Sequence, residues 1–346
     1  YESHDPIIIK HGVEGNSAEN PLIIEGYEIT NPGGPCIFIE NIEYVIIRNN
    51  YLHDCGIDFS AELIANNPRD DNCLGGGTDF METGALNLFR VGSVKIYGNK
   101  LENNDYGIKV EGFDSKVNGV EIFNNTIHKS HRNHFLWIKD AQNVLIYNND
   151  IRHNGLSEFF DNTALARIFA GEDLGCMDGR SQGIAVHASD NVKIYNNYIL
   201  NSSSDGIGIM DTPGDPYVSE NPSRNIEIYD NEVVENGEQG IWLAGAHNVS
   251  IYRNKVYQSK ARANESGGSS GIMLETDSVD VNIFENDIYY NEIELPKYLD
   301  PVYGGRTIEG TRCVSLMFRD LYGYDRARAF INLIAESDPV ITPEKN

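Results

Sequence analysis

Apolar and polar residues alternate with period two in a nine-residue segment that returns eight times along the chain. The copies are YVIIRNNYL ending at Leu52, SVKIYGNKL at Leu101, GVEIFNNTI at Ile127, NVLIYNNDI at Ile151, NVKIYNNYI at Ile199, NIEIYDNEV at Val233, NVSIYRNKV at Val256 and DVNIFENDI at Ile288. Period two, with β-branched and aromatic residues dominating, predicts a strand with one face buried. The Asn two places before the end of each copy falls at 50, 99, 125, 149, 197, 231, 254 and 286, at intervals of 49, 26, 24, 48, 34, 23 and 32. A unit returning every 23 to 26 residues, with longer excursions between, predicts a solenoid carrying loops. The Asn is expected to end its strand in the left-handed conformation of a sharp turn, and to bond its amide to the Asn above and below. A second strand follows, opening on Gly: GIKV at Gly107, GIAV at Gly183, GIGI at Gly206, GIWL at Gly240 and GIML at Gly271. Ala85 to Leu88 and Phe135 to Ile138 fill the same slot. The aromatics inside the repeat (Tyr97, Phe123, Tyr147, Tyr195, Tyr229, Tyr252, Phe284) recur in coil after coil and read as structural.

These repeats, with the opening GNSAENPLIIEGYEI from Gly15 to Ile29, resemble the right-handed parallel beta-helix of the pectate-lyase-like superfamily, over about Pro21 to Ile288. The expected fold is all-β: a parallel beta-helix over 1–290 with long loops on one side, and a C-terminal extension, 291–346, with a short helical segment, that packs on it or caps it. Within that extension Tyr324 to Ser337 has helical spacing, with Ala327, Phe330, Ile331 and Ile334 on one face. Solenoid ends need covering, because open sheet edges aggregate. The Ile/Asn/Tyr/Glu-rich coils are also similar in texture to the beta-helix domain of disaggregatase, a methanogen enzyme that dismantles a chondroitin-like surface polymer. This fold serves many unrelated activities, so function has to be argued from the site.

Loop placement points to that site. Between the Asn strand and the Gly strand four coils use short corners, 102–106, 128–134, 200–205 and 234–239, while 53–84 and 152–182 are long insertions and 257–270 a shorter one. All leave at one corner, so the two longest are expected to wall a trough whose floor carries Lys109 and Trp137. A further loop, 211–224, leaves at another corner. Over the floor point Asp105, Lys109 and Glu111 from one coil, and His128, His131, Arg132, His134, Trp137 and Lys139 from the next. Lys109 and Trp137 share a column, as do Glu111, Lys139 and His187, at a strand spacing of about 4.8 Å. Single polar surface residues need no explanation. A Trp set among His, Lys, Arg and carboxylates between two walls is how a sugar site reads: a ring to stack on and polar groups to orient hydroxyls.

Composition narrows the partners. The chain has 346 residues and a net charge of -25, which argues against nucleic acid, since phosphate binding needs clustered Lys and Arg, and against anionic membranes. No apolar run is long enough to span a bilayer. The chain opens on Tyr1 and reads as a mature or trimmed form, with an extracellular or cell-surface place expected. Five Cys are too few for a disulfide scaffold. Cys55 and Cys73 lie in one predicted loop and are placed to close it, while Cys36 reads as a small buried hydrophobe. No spacing resembles a zinc site, GxGxxG or a P-loop. Asp211 to Asp215 and Glu275 to Asp280 offer oxygens for Ca²⁺ without matching a defined calcium loop, and no cofactor is required.

Two chemistries suit a polysaccharide in such a trough. A glycoside hydrolase needs two carboxylates, one a raised-pKa acid: Asp105, Glu111 and Asp140 near the floor, and Glu172, Asp173 and Asp178 from the second wall. A uronate lyase needs a cation to neutralise the carboxylate and a Lys, Arg or His base: Lys109, Arg132, Lys139 and His187. Chondroitinase-B-like and alginate-lyase families place Lys and an Arg-His-Gly run on successive coils. LNLFRVG, Leu86 to Gly92, is similar, with Arg90 in place, but Val91 stands where the His belongs and the preceding coil, Phe38 to Ile42, has no Lys. The Tyr-Gly-x-Asp-Pro-His pattern of C5-epimerases is absent. Hydrolysis of a uronic-acid-containing glycan stands slightly ahead by default, elimination second, and a non-catalytic carbohydrate-binding surface protein third. The catalytic candidates are Glu111, Asp140, Asp178, Lys109, Lys139 and His187; those for binding substrate are Asp105, His128, Arg132, His134, Trp137, Arg180 and Trp242.

Overall fold

The structure, a computed structural model, describes residues 2–56, 84–152, 182–211, 221–259, 271–289 and 316–319, apart from positions 4, 31, 33, 105, 114, 115, 131–133, 203, 258, 276 and 277. Every strand pairs in parallel with the equivalent strand of the next coil, so the chain winds through three sheets in rotation. Sheet A runs from Glu2–Ser3 to Asp287–Tyr289, sheet B from Ile7–Ile9 to Leu316–Arg319, and sheet C from Leu22–Glu25 to Val279–Phe284. They hold 10, 10 and 9 strands among the described residues. This is a right-handed parallel beta-helix. No helix among the described residues is long and apolar enough to cross a membrane.

Alternation decides which side chains fill the bore. In sheet C the inward column is Val94, Val120, Val144, Val192, Ile226, Val249 and Val281, all buried. Sheet A contributes Leu52, Leu101, Ile127, Ile151 and Ile199, and sheet B Leu86, Ile108, Leu136, Ile184 and Ile207. β-Branched residues stacked at strand spacing fill the core coil by coil. On the outside of sheet C the repeat aromatics stack almost face to face from Tyr97 to Phe284, with centroids 4.7 to 5.0 Å apart.

The ladder Asn forms as expected. Each Oδ1 accepts both the backbone N–H and the Nδ2 of the Asn one coil earlier, unbroken from Asn50 to Asn286; the amide-to-amide bonds measure 2.9 to 3.1 Å. Its Nδ2 also reaches a backbone carbonyl, as Asn149 does Ile122. The left-handed residue is a different one: it precedes the ladder Asn, at Asn49, Asn124, Asn148, Asn196, Asp230, Arg253 and Glu285. The physical reason is a division of labour. A residue that must aim its amide along the bore cannot also make the turn, so the exposed neighbour takes the positive φ. The first Asn of the repeat makes a second such column, Asn143, Asn191, Asn225 and Asn248.

One expectation changes at the covalent level. Cys55 bonds to Cys36, with Cα atoms 5.5 Å apart; Cys73 lies outside the described residues. Coil stacking brings Cys36 and Cys55, which are distant along one turn, to the same corner of successive turns, a proximity that loop membership does not reveal. After Ile288 the sequence repeat stops, yet Leu316–Arg319 pairs with Ile272–Glu275 and extends sheet B. The helical segment at 324–337 lies outside the described residues. The ends of the three insertions are described, at 56 and 84, 152 and 182, and 259 and 271, and all lie between sheet A and sheet B. The insertions themselves, and hence the expected walls, lie outside the described residues.

Two outcomes follow. Asn149→Ala takes the acceptor from the Asn125 backbone N–H and a donor from the Ile122 carbonyl, and should destabilise the protein by about 2–4 kcal/mol; Asn286→Ala, at the last rung, should cost less, both read by urea unfolding. Peptide mapping without reductant should recover a Cys36–Cys55 cross-linked pair, and Cys55–Cys73 peptides would contradict it.

Candidate functional site

The outer face of sheet B carries two columns of side chains. The first runs Phe38, Asn87, Lys109, Trp137, Ala185, Gly208, Trp242 and Met273; the second runs Glu40, Phe89, Glu111, Lys139, His187, Met210 and Ala244. Outward positions on a strand ordinarily meet water. Here Asn87, Lys109, Glu111 and His187 are all buried.

At the centre Glu111 holds two ammonium groups. Lys109 Nζ lies 3.1 Å from Oε2 and Lys139 Nζ donates to Oε1 at 2.8 Å. The side chains of Lys109 and Glu111 are only 5% and 6% exposed, that of Lys139 24%. Lys109 Nζ also sits 5.3 Å over the ring of Phe89 and 5.5 Å over that of Trp137, contacts that favour a cation removed from water. On its other side Trp137 stacks on His187, centroids 4.9 Å apart and planes 6° from parallel, while His134 tilts against it at 4.7 Å. Trp137 is therefore a member of a stack, its ring faces taken by its own neighbours, and does not offer the open platform expected of it.

Burial sets the charge states. It holds His134 at a pKa of about 3, helped by the charges of His187 and Lys109, and His187 at about 4, although the Asp211 backbone opposes the shift. Both imidazoles are neutral in ordinary solution. The His134 Nδ1 accepts from the Gln182 N–H at 3.1 Å, which leaves its proton on Nε2. Burial also lowers Lys109, against the pull of Glu111. For Glu111 burial alone would raise the pKa, but the charge of Lys109 and the bond and charge of Lys139 together hold it below the usual carboxylate range. Asp140, at the corner after Lys139, is pushed up by burial. Trp137 Nε1 and both ring nitrogens of His187 are buried without a hydrogen bond of ordinary geometry, which is costly unless something else uses them.

Register thus brings together Lys109, Glu111, Lys139, Trp137 and His187, with His134 and Asp140 at the two ends of their coil. It does not bring His128, which lies on sheet A beside Asp150, 3.7 Å away: a residue before the A-to-B corner faces away from sheet B. Trp242 shares the Trp137 column but stands three coils further on, beyond Ala185 and Gly208. Asp105, Arg132, Asp178 and Arg180 lie outside the described residues. Residue-type reasoning passed over Phe89, Asn87 and Gln182. The period-two register of LNLF, with Asn87 and Phe89 outward, carried the signal for the first two. No group of three or more His, Cys, Asp or Glu among the described residues is arranged to hold a metal ion; of the calcium stretches, positions 212–215, 276 and 277 lie outside them.

The family described as "Right handed beta helix region" matches residues 8–128 and 84–288. No curated protein matches this chain in sequence. Among solved structures, the mannuronan C-5 epimerase A-module of Azotobacter vinelandii superposes with a TM-score of 0.39 at 12% identity, over 76% of this chain and 57% of that one. The Dettilon tailspike protein gives 0.44 at 16%, over 83% and 54%, and the periplasmic alginate epimerase AlgG 0.42 at 14%, over 96% and 71%. The chain spans little more than half the length of the first two.

The buried imidazoles predict a pH response. A histidine whose folded pKa lies below its unfolded value of about 6.5 contributes stability that is fully present above that value and is lost as pH falls through it toward the folded pKa. For His187 the loss amounts to about 3 kcal/mol once pH reaches about 4. Urea midpoints should fall between about pH 6.5 and about pH 4, and less steeply in His187→Gln.

Proposed function

The chain belongs to the right handed beta helix family, and on that premise we propose that it cleaves an acidic, uronate-containing polysaccharide on the outer face of sheet B. The observation that supports this reading most is the Lys109–Glu111–Lys139 triad. Taking ions out of water costs several kcal/mol each, and the fold does not require it, since Ala185, Gly208 and Ala244 fill the same columns elsewhere. Both ammonium groups are held at Glu111, and Lys139 is the partly exposed member. An exposed ammonium held in place in this way suits a uronate carboxylate.

Of the two chemistries, elimination fits the described groups better. Glu111 is held ionised and makes a poor acid. With the substrate carboxylate neutralised by Lys139 and backed by Lys109, the proton α to it becomes easier to remove. His187, next to Lys139 in the column, is held unprotonated by burial and takes that proton as general base. The C–H electron pair forms the new double bond, the C–O bond β to the carboxylate breaks, and the departing oxygen collects a proton from solvent. One observation favours hydrolysis instead: Asp140, raised by burial, has the character of a glycosidase acid. The Cys36–Cys55 bond supports an oxidising, extracellular or cell-surface setting.

The test is incubation with a panel of uronate-containing polysaccharides, reading reducing ends and the ultraviolet absorbance of unsaturated uronates together. Elimination predicts both, hydrolysis reducing ends alone, and silence on every substrate would leave a carbohydrate-binding scaffold. Lys139→Ala should lower kcat/KM about a hundredfold or more. With His187 as base, activity should fall as pH drops toward about 4.

A further inference from the structure

We propose that Trp242 binds the sugar next to the one that reacts, that this second sugar is uncharged, and that the polymer therefore alternates an acidic with a neutral unit; this rests on the proposed function above. The chain has two tryptophans, and register puts both in the first outward column of sheet B. Their circumstances are opposite. Trp137 is enclosed by His187, His134 and Lys109. Trp242 is partly exposed, and among the described residues no ring packs against it and no acceptor takes its N–H. An indole combines a large apolar body with a polar tip, a combination used where one surface meets another.

The floor in front of Trp242 is low. Ala185 and Gly208 stand between the two indoles in the column. A glycine inside a strand marks a close approach, and here the approaching group is Gln182. A Cβ on Gly208 would lie 2.4 Å from its Nε2, 2.6 Å from its Cδ and 2.7 Å from its Oε1. The carboxamide therefore lies at the height of a Cβ. Asp205 keeps it there, accepting from Nε2 at 2.8 Å while its other oxygen takes the Gln239 backbone N–H at 3.1 Å. The Trp242 ring reaches beyond its own Cβ and so stands above this floor on its N-terminal side. At the other end of the low stretch is His187, on the same strand and face as Ala185. It is buried, and neither ring nitrogen has a hydrogen bond of ordinary geometry, a deficit that a ligand can complete.

The chemistry of the face changes along the axis. The ion cluster ends at Lys139. Beyond the neutral His187, the outward residues Gly208, Met210, Trp242, Ala244 and Met273 carry no charge. One sugar unit is close to one strand spacing, about 5 Å. A uronate whose carboxylate meets Lys139 reaches the coil of His187, and the next unit then lies over Gly208, with Trp242 one strand spacing further on. There it meets an indole and a carboxamide, which suit the C–H face and the hydroxyls of a pyranose. A second carboxylate at this place would lose water without gaining a cation from these residues.

The experiment sets two series of oligosaccharides, from tetrasaccharides to octasaccharides, against the wild type, Trp242→Ala and Trp242→Tyr. One series is uronate throughout; in the other uronate alternates with a neutral sugar. For the wild type, KM on the alternating series should be about tenfold the lower. Trp242→Ala should erase that difference, through KM rather than kcat, and Trp242→Tyr, which keeps a ring and a polar tip, should restore most of it. Thermal unfolding of each variant, read alongside, shows that the fold is kept. A wild type that handles the two series alike, or a Trp242→Ala variant that keeps the preference, would overturn the inference while leaving the proposed function intact. A wild type that neither binds nor turns over any acidic oligosaccharide would remove both.

Discussion

One buried amide per turn fixes the register of this molecule. The ladder Asn bonds forward through its donor and backward through its acceptor, and its Oδ1 takes two N–H groups at once. A coil that slipped by one residue would break these bonds and would also turn every inward Ile and Val to solvent, because strand side chains alternate with period two. The bonds and the alternation therefore select the same register. Its reach extends beyond the corner where the Asn sits: with each turn pinned at one point, the outer columns of sheet B fall into line, and Lys109 meets Trp137, and Glu111 meets Lys139, without any contact that had to be evolved for alignment.

Much of this was legible in the chain because the repeat states it many times. The recurrence of Asn-Val-x-Ile-Tyr-x-Asn-x-Ile identifies the strands, the stacking Asn and the aromatic column, and the Gly-led second strand places Lys109, Trp137, Lys139 and His187 on shared columns. What escaped depends on relations that no single coil contains. The exchange of roles at the turn, with Asn148 taking the positive φ and Asn149 the ladder, cannot be told from two adjacent Asn residues. The partner of Cys55 is set by the stacking of turns, not by distance along the chain. His128 seemed to belong with His134, yet His128 lies in a sheet A strand while His134 comes just before the sheet B strand that begins at Leu136. Trp137 was read as a platform because its neighbours in space were not known; His187 and Lys109 occupy its faces.

The molecule buries polar groups in two contrasting ways. The ladder is saturated: its amides have partners on both sides, and the result is rigidity. The sheet B cluster is not. Its triad is an ion cluster taken out of water, its two imidazoles are held off their usual pKa by burial, and the His187 nitrogens and the Trp137 N–H have no partner of good geometry among the described residues. Low dielectric makes such groups costly at rest and effective toward a ligand that completes them. The saturated ladder supplies the stiffness on which the unsaturated cluster can be held.

A solenoid joined turn by turn makes position along its axis a matter of counting. Trp242 lies three turns from Trp137 because two turns, those of Ala185 and Gly208, intervene. Loss or gain of one whole turn would move everything beyond it by about 4.8 Å, and the new neighbours would meet through the same Asn rung and the same aromatic stack. Duplication of a segment can thus lengthen the outer face of sheet B in steps of one strand spacing, leaving the coils of the Lys109 cluster untouched; for the polysaccharide proposed above, that step is close to the length of one sugar. Evolution along this axis works as a ratchet whose unit is the turn of the protein.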